Sequence, residues 1–254
     1  MKIKSLAFLF LATLFLSCSE NNDVVVNPVS VTFNFSHSWN GTEVTSSDFN
    51  DVKFVNENED TLSIVRLRYL VSDIIFTHES GVETSAGIYN LVDFNNSENL
   101  SFTTPAEILP GNYTVSFRFG FKDEDNLDGV YADLNTANFN VPAMLNGGYH
   151  YMQFDGNYRD SGGGDSPFNF HAIRAFDTTG TNDSVDTSVE VSLGSITVQA
   201  NTQINVQMDI YNWFSNPNLW DINTLNVLLM PNYDAQLMIS QNGANVFSLV
   251  DVTQ

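Results

Sequence analysis

Cysteine and cationic side chains are both scarce in these 254 residues. Cys18 stands alone, so no disulfide can form within the chain. Lys and Arg number nine against 30 Asp and Glu, a formal net charge of −21. Such a surface repels nucleic acid and anionic lipid head groups, which excludes both as partners of the folded domain. Long apolar runs are missing too. The longest, residues 5–16, falls short of the roughly 20 residues that cross a bilayer. Histidine occurs only four times. The usual catalytic signatures are also lacking: no Gly-x-Ser-x-Gly elbow, no His-Glu-x-x-His pair and no phosphate-cradling glycine loop. Carboxylates abound, but none stands out by spacing as an acid/base pair, so the chain does not read as an enzyme.

What is present at the start has a definite pattern. Lys2 and Lys4 precede the short apolar run, which ends in Ser17-Cys18. That order reads as a signal peptide over residues 1–17. A small residue before Cys resembles the bacterial lipobox, in which the thiol is acylated and its amine becomes the new N-terminus. Acylation of Cys18 also caps a thiol that would be a liability in an oxidising compartment. Residues 18–28 then read as a tether and 29–254 as one domain. Loss of Lys2 and Lys4 leaves 7 basic against 30 acidic groups, a net charge of about −23. The expected location is the outer membrane, with the lipid as the membrane contact and the domain on the periplasmic or cell-surface face. Acidic residues directly after Cys18 (Glu20 and Asp23) favour the surface.

Hydrophobic residues make up 43% of the chain, with 20 Phe and 9 Tyr, ample for a core. They alternate. Val29, Val31, Phe33 and Phe35 share one face, as do Tyr113, Val115, Phe117, Phe119 and Phe121. Further period-two runs cover 62–70, 74–78, 149–154, 189–198 and 203–210, separated by turn clusters at 79–81, 110–112 and 161–164. About ten short strands with polar connections predict an all-β fold, an antiparallel β-sandwich. Only residues 232–244 suggest a helix, so at most one short C-terminal helix is expected.

Three acidic loops stand out: 56–60, 123–133 and 177–186. Within the second, Glu124-Asp125-Asn126-Leu127-Asp128-Gly129 partly resembles a calcium loop, with oxygen donors before a glycine. An EF-hand would place Glu at the twelfth position, where Asn135 stands, so calcium is a weak expectation and a solvated turn the stronger one. The histidines are more selective. His78 lies beside a turn and reads as a surface residue. His37 is in phase with Phe33 and Phe35, with Trp39 next in register. His150 alternates with Met152 and Phe154, and His171 follows Phe170. Any one inward histidine is usually a satisfied core residue. Three of them, however, give imidazole donors of the kind that soft copper(I) sites use in dry, low-coordinate pockets. His37, His171, His150 and Met144 are therefore the candidate metal ligands.

Several stretches, in order along the chain, resemble the MbnP-like copper-binding domain of exported bacterial proteins. They are VTFNFSH at 31–37, LRYLVSDI at 67–74, YNLVD at 89–93, LPGNY at 109–113, FGFKD at 119–123, GY at 148–149, FDG at 154–156, FNFH at 168–171 and MDIYNWF at 208–214. The resemblance implies an exported protein that holds copper through histidines, to which the lipobox adds a lipid anchor and the missing catalytic signatures a non-catalytic role. It points to His37 and His171 as ligands. It also implies a third ligand made by oxidising tryptophan to kynurenine, the work of a di-haem peroxidase-like partner. The stretch before Gly148-Tyr149 reads PAMLNG at 142–147 and carries no tryptophan, which leaves Trp39 as the modified-ligand candidate and Met144 as a substitute donor. The competing expectation is a metal-free surface module on the same fold that binds glycan or protein, using aromatics such as Tyr131, Tyr158 and Trp220.

Overall fold

The structure, a computed structural model, describes residues 26–254. The leader, Cys18 and most of the tether lie outside the described residues. The first strands are β1 (Thr32–Trp39), β2 (Thr42–Glu43), β3 (Phe54–Val55), β4 (Thr61–Leu62) and β5 (Arg66–His78). Next come β6 (Glu83–Asp93), β7 (Ser101–Thr103), β8 (Gly111–Phe119), a one-turn helix α1 (Ala132–Thr136), β9 (Met152–Arg159) and β10 (Asp165–Ala172). The chain closes with β11 (Val189–Val198), β12 (Gln203–Asp209), α2 (Tyr233–Gly243) and β13 (Phe247–Thr253).

The strands form two sheets. The smaller runs β13-β12-β1-β2, with β7 also on β1; the larger runs β11-β8-β5-β9-β4-β3, with β10 on β9 and β6 on β5. This is the expected all-β sandwich, and among the described residues its paired strands run antiparallel except β1 and β12, which are parallel. The core lies between the sheets. It takes Phe33 and Phe35 from β1, Leu67, Tyr69 and Val71 from β5, Phe154 from β9, Phe168 and Phe170 from β10, and Val206 from β12.

Local sequence accounts for most of these elements. The period-two run at 189–198 is β11 residue for residue. The runs at 62–70 and 74–78 belong mostly to one long strand, β5, whose register shifts between Ser72 and Ile75 against β8. Asp73 there adopts φ 52°, the left-handed conformation that absorbs the extra residue of a bulge. The break in phase between the two runs is this kink. The helix expected over 232–244 is α2, with the Asn232 side chain accepting from the Ala235 amide as its N-cap.

The larger sheet is covered on its inner face and on part of its outer one. On the side away from the smaller sheet, residues 121–149 fold back over it. Leu70, Phe121, Leu134, Phe139 and Tyr149 form a satellite core there. Val141, Leu145 and Ile173, with Met230 against them, form another. Burial therefore occurs on the outer face as well as in the sandwich, and this decides where the histidines meet.

Candidate metal centre

Strand register sorts the histidines by face. Tyr69, Met152 and Ala172 are cross-strand partners on β5, β9 and β10, and all three are in the sandwich core. The next row, Arg68, Gln153 and His171, must point the other way, because successive strand residues face opposite sides. His37 belongs with the first set. Its Nε2 and the Tyr69 hydroxyl share a hydrogen bond of 3.2 Å, and its ring stacks on Phe94 at 3.8 Å. The larger sheet thus separates His37 from His171. The resemblance pointed to these two as ligands, and the structure does not bring them together.

His37 is instead a core residue of the sandwich. Burial pushes its pKa from 6.5 down to about 3. Below pH 6.5 the unfolded chain takes up a proton at this position that the folded chain does not, so stability falls with pH down to about 3. Between pH 7.5 and 5 that loss is about 2 kcal/mol. His37→Phe is expected to remove this part of the slope, while leaving the Tyr69 hydroxyl without its partner at every pH. Urea melts of both proteins at the two pH values measure it; parallel pH dependence would refute the assignment.

His150 and His171 do meet. Their rings lie 5.1 Å apart at 83°. His150 precedes β9, where its backbone amide and its ring Nδ1 both donate to the Phe139 carbonyl, each at 2.9 Å. The Gln153 amide nitrogen at 3.4 Å is no alternative acceptor, because Gln153 Oε1 takes the Arg68 Nε–H at 2.7 Å. His150 Nε2 therefore carries a lone pair. Burial, aided by neighbouring His171, pushes this imidazole down to about 3, so it is neutral at physiological pH. His171 Nε2 donates to Asp155 Oδ1 at 2.9 Å, so that in the neutral ring the lone pair is on Nδ1.

Both ring nitrogens are buried, and neither His150 Nε2 nor His171 Nδ1 has a hydrogen-bond partner among the described residues. An unmet buried polar atom costs about 1–3 kcal/mol, so two on touching rings need a physical reason. Asp155 is itself fixed. Burial acts to raise its pKa, but the His171 N–H, Asn169 and Arg66 outweigh that and hold the carboxyl at about 2. Asn169 donates to Oδ1 at 2.6 Å and Arg66 pairs with Oδ2. Each ring nitrogen opposite a lone pair is thus held by an acceptor, the arrangement that orients imidazoles toward a metal.

The MbnP family profile matches residues 28–231. The chain belongs to the MbnP family. Its fold is similar to a solved structure, MbnP from Methylosinus trichosporium, with TM-score 0.54 and 13% identity, over 76% of this chain and 80% of that one. No curated protein matches it in sequence.

The other expected site residues of this MbnP-family chain lie elsewhere. Met144 is 81% exposed on the turn Ala143–Leu145 and takes no place beside the rings. Trp39 is buried at the end of β1, donating to the Val55 carbonyl at 2.8 Å and packing on Phe54 and Phe214. Trp213 and Trp220 pack on Phe170, whose side chain faces away from that of His171. No tryptophan therefore stands at the pair to supply kynurenine. The calcium-like loop is engaged internally: Glu124 and Asp125 pair with Lys122, Asn126 Oδ1 accepts from the Tyr149 amide, and Asp128 from the Gly148 amide. Among the described residues no three His, Cys, Asp or Glu side chains group as metal donors. Tyr158 and Trp220 are buried, and Tyr131 packs on Phe121, so they form no open stacking platform. Sequence reasoning missed Asp155 and Gln153. Their alternation with Met152 and Phe154 was the available signal.

Proposed function

We propose that this MbnP-family protein is a lipid-anchored, non-catalytic copper-binding protein outside the cytoplasm, and that His150 Nε2 and His171 Nδ1 hold copper(I). The observation that carries the reading is the pair of buried, partnerless ring nitrogens on adjacent imidazoles. The donor chemistry supports it. Neutral imidazoles suit a soft ion in a low-coordinate, dry setting. Asp155 is taken up by three donors and offers little to a hard ion such as calcium. Two imidazoles alone also fall short of the four ligands of a structural zinc site.

The residues of the chain have distinct tasks. The Phe139 carbonyl fixes the tautomer of His150, and Asp155 that of His171. Asp155 also places negative charge next to the bound cation. The side chain of His171 keeps 12% exposure, giving an approach from solvent on that side only. Anaerobic titration against a copper(I) chelator tests the proposal. One equivalent should bind to the wild type and to His37→Phe, and none to the His150→Ala/His171→Ala double variant. Wild-type affinity in the double variant would refute it.

A further inference from the structure

Two imidazoles leave a copper(I) ion open to further coordination, and one wall beside His171 is built by a segment that no strand pattern marked. Residues 227–231, with His171 and Asn169, line a cleft of about 310 Å³. The segment is strapped to β10. The buried side chain of Gln236 donates from Nε2 to the carbonyls of His171 and Leu229, both at 2.9 Å. Its Oε1 accepts from the Ile173 amide at 2.8 Å. The Asn169 amide donates to the Asn226 carbonyl at 2.8 Å, fixing the other end. Between these ties Leu228 takes a left-handed φ of 57°, turning the chain before Met230.

Met230 is half-buried against Ile173, Val141 and Leu145, and it lines the same cleft as His171. The other residues of that wall, Val227, Leu228, Leu229 and Pro231, are aliphatic. Met230 thus brings the one soft donor of the wall. A thioether binds copper(I) well and hard ions poorly. A methionine used only to fill space has no need of its sulfur.

We infer that Met230 is a third ligand, its sulfur completing an N₂S site for copper(I) with His150 and His171. This rests on the copper reading of the histidine pair. Its sources are the strap that holds residue 230 beside β10 and the composition of the cleft wall. The arrangement also orders the preference for oxidation state: a soft sulfur favours copper(I) over copper(II), so its loss should leave copper(II) affinity nearly unchanged.

The test compares wild type, Met230→Leu and Met144→Leu by anaerobic copper(I) competition and by X-ray absorption of the loaded proteins. Leu nearly conserves volume, so the fold should tolerate the change with little loss of stability, which a melt of the metal-free protein checks. The expected result is a sulfur neighbour in the wild type and in Met144→Leu, absent from Met230→Leu. One-to-one binding persists in Met230→Leu, weakened about tenfold. A nitrogen-only spectrum in the wild type, with equal affinity in Met230→Leu, would overturn the thioether while leaving the histidine pair standing. A wild type that takes up no copper would overturn both. Loss of the sulfur signal in Met144→Leu instead would assign the donor to Met144 and overturn the role of Met230.

Discussion

Gly156→Ala should destabilise the metal-free fold by at least about 3 kcal/mol, lowering its melting temperature by roughly 6–12 °C for a domain of this size. Gly156 lies within β9 opposite Phe168. A Cβ there would sit 2.0 Å from the Ser63 carbonyl oxygen and 2.5 Å from the Phe168 ring. The ring can tilt, but the carbonyl cannot withdraw. Ser63 donates its amide to Asn157 O at 2.7 Å and its hydroxyl oxygen accepts from the Asn157 amide at 2.9 Å. Val65 N donates to Asp155 O at 2.8 Å. Residues 63–65 are therefore clamped to the strand that the new methyl would push away. Calorimetry measures the effect, and a melting temperature within about 2 °C of wild type would show that the clamp yields.

Asp155→Ala should weaken copper(I) binding by about 10- to 100-fold, the usual loss when the partner that orients a metal-bound histidine is removed. Without the carboxylate, His171 can rotate or exchange tautomers, and its Nδ1 lone pair is no longer assured. The same change deprives Arg66 of its ion pair. Because the Arg66 side chain is 40% exposed, stability should fall by only about 1–2 kcal/mol, below the value for a fully buried pair. Asp155→Asn separates the two roles. Its amide oxygen still accepts from His171 Nε2 while the charge is gone, so it should bind copper better than Asp155→Ala. Chelator competition on the three proteins decides; equal affinities would mean that His171 is oriented by its packing alone.

Period-two alternation made the sheets legible because apolar faces repeat at the spacing of the pleat. It located β1, β8, β11 and β12 to within a few residues, and the stretch 232–244, where the alternation stops, is α2. It also flagged His37, His150 and His171 as buried, which they are to differing degrees. What alternation could not say is which side of a sheet a buried face adjoins. Parity within one strand is fixed by the backbone, but relating β1 to β10 needs the register of β5 and β9 between them. The inference that buried means inside the sandwich then fails here, since residues 121–149 roof part of the outer face. Met230 and Gln236 were beyond reach for another reason. Their positions follow from hydrogen bonds to strand β10, more than fifty residues away, and irregular segments carry no period to read.

The parallel pairing of β1 with β12 has a kinetic corollary. Asn34 and Asn205, bonded at 2.8 Å, are 171 residues apart. The first strand to be made must wait for nearly the last before the smaller sheet can close, and native structure with such distant contacts forms slowly. Until then Phe33 and Phe35 can already pack on Tyr69, Phe102 and Phe117, but the edge of β1 that β12 will pair stays open, an invitation to intermolecular β-association. That edge finds its native partner only when residues 203–209 have been made.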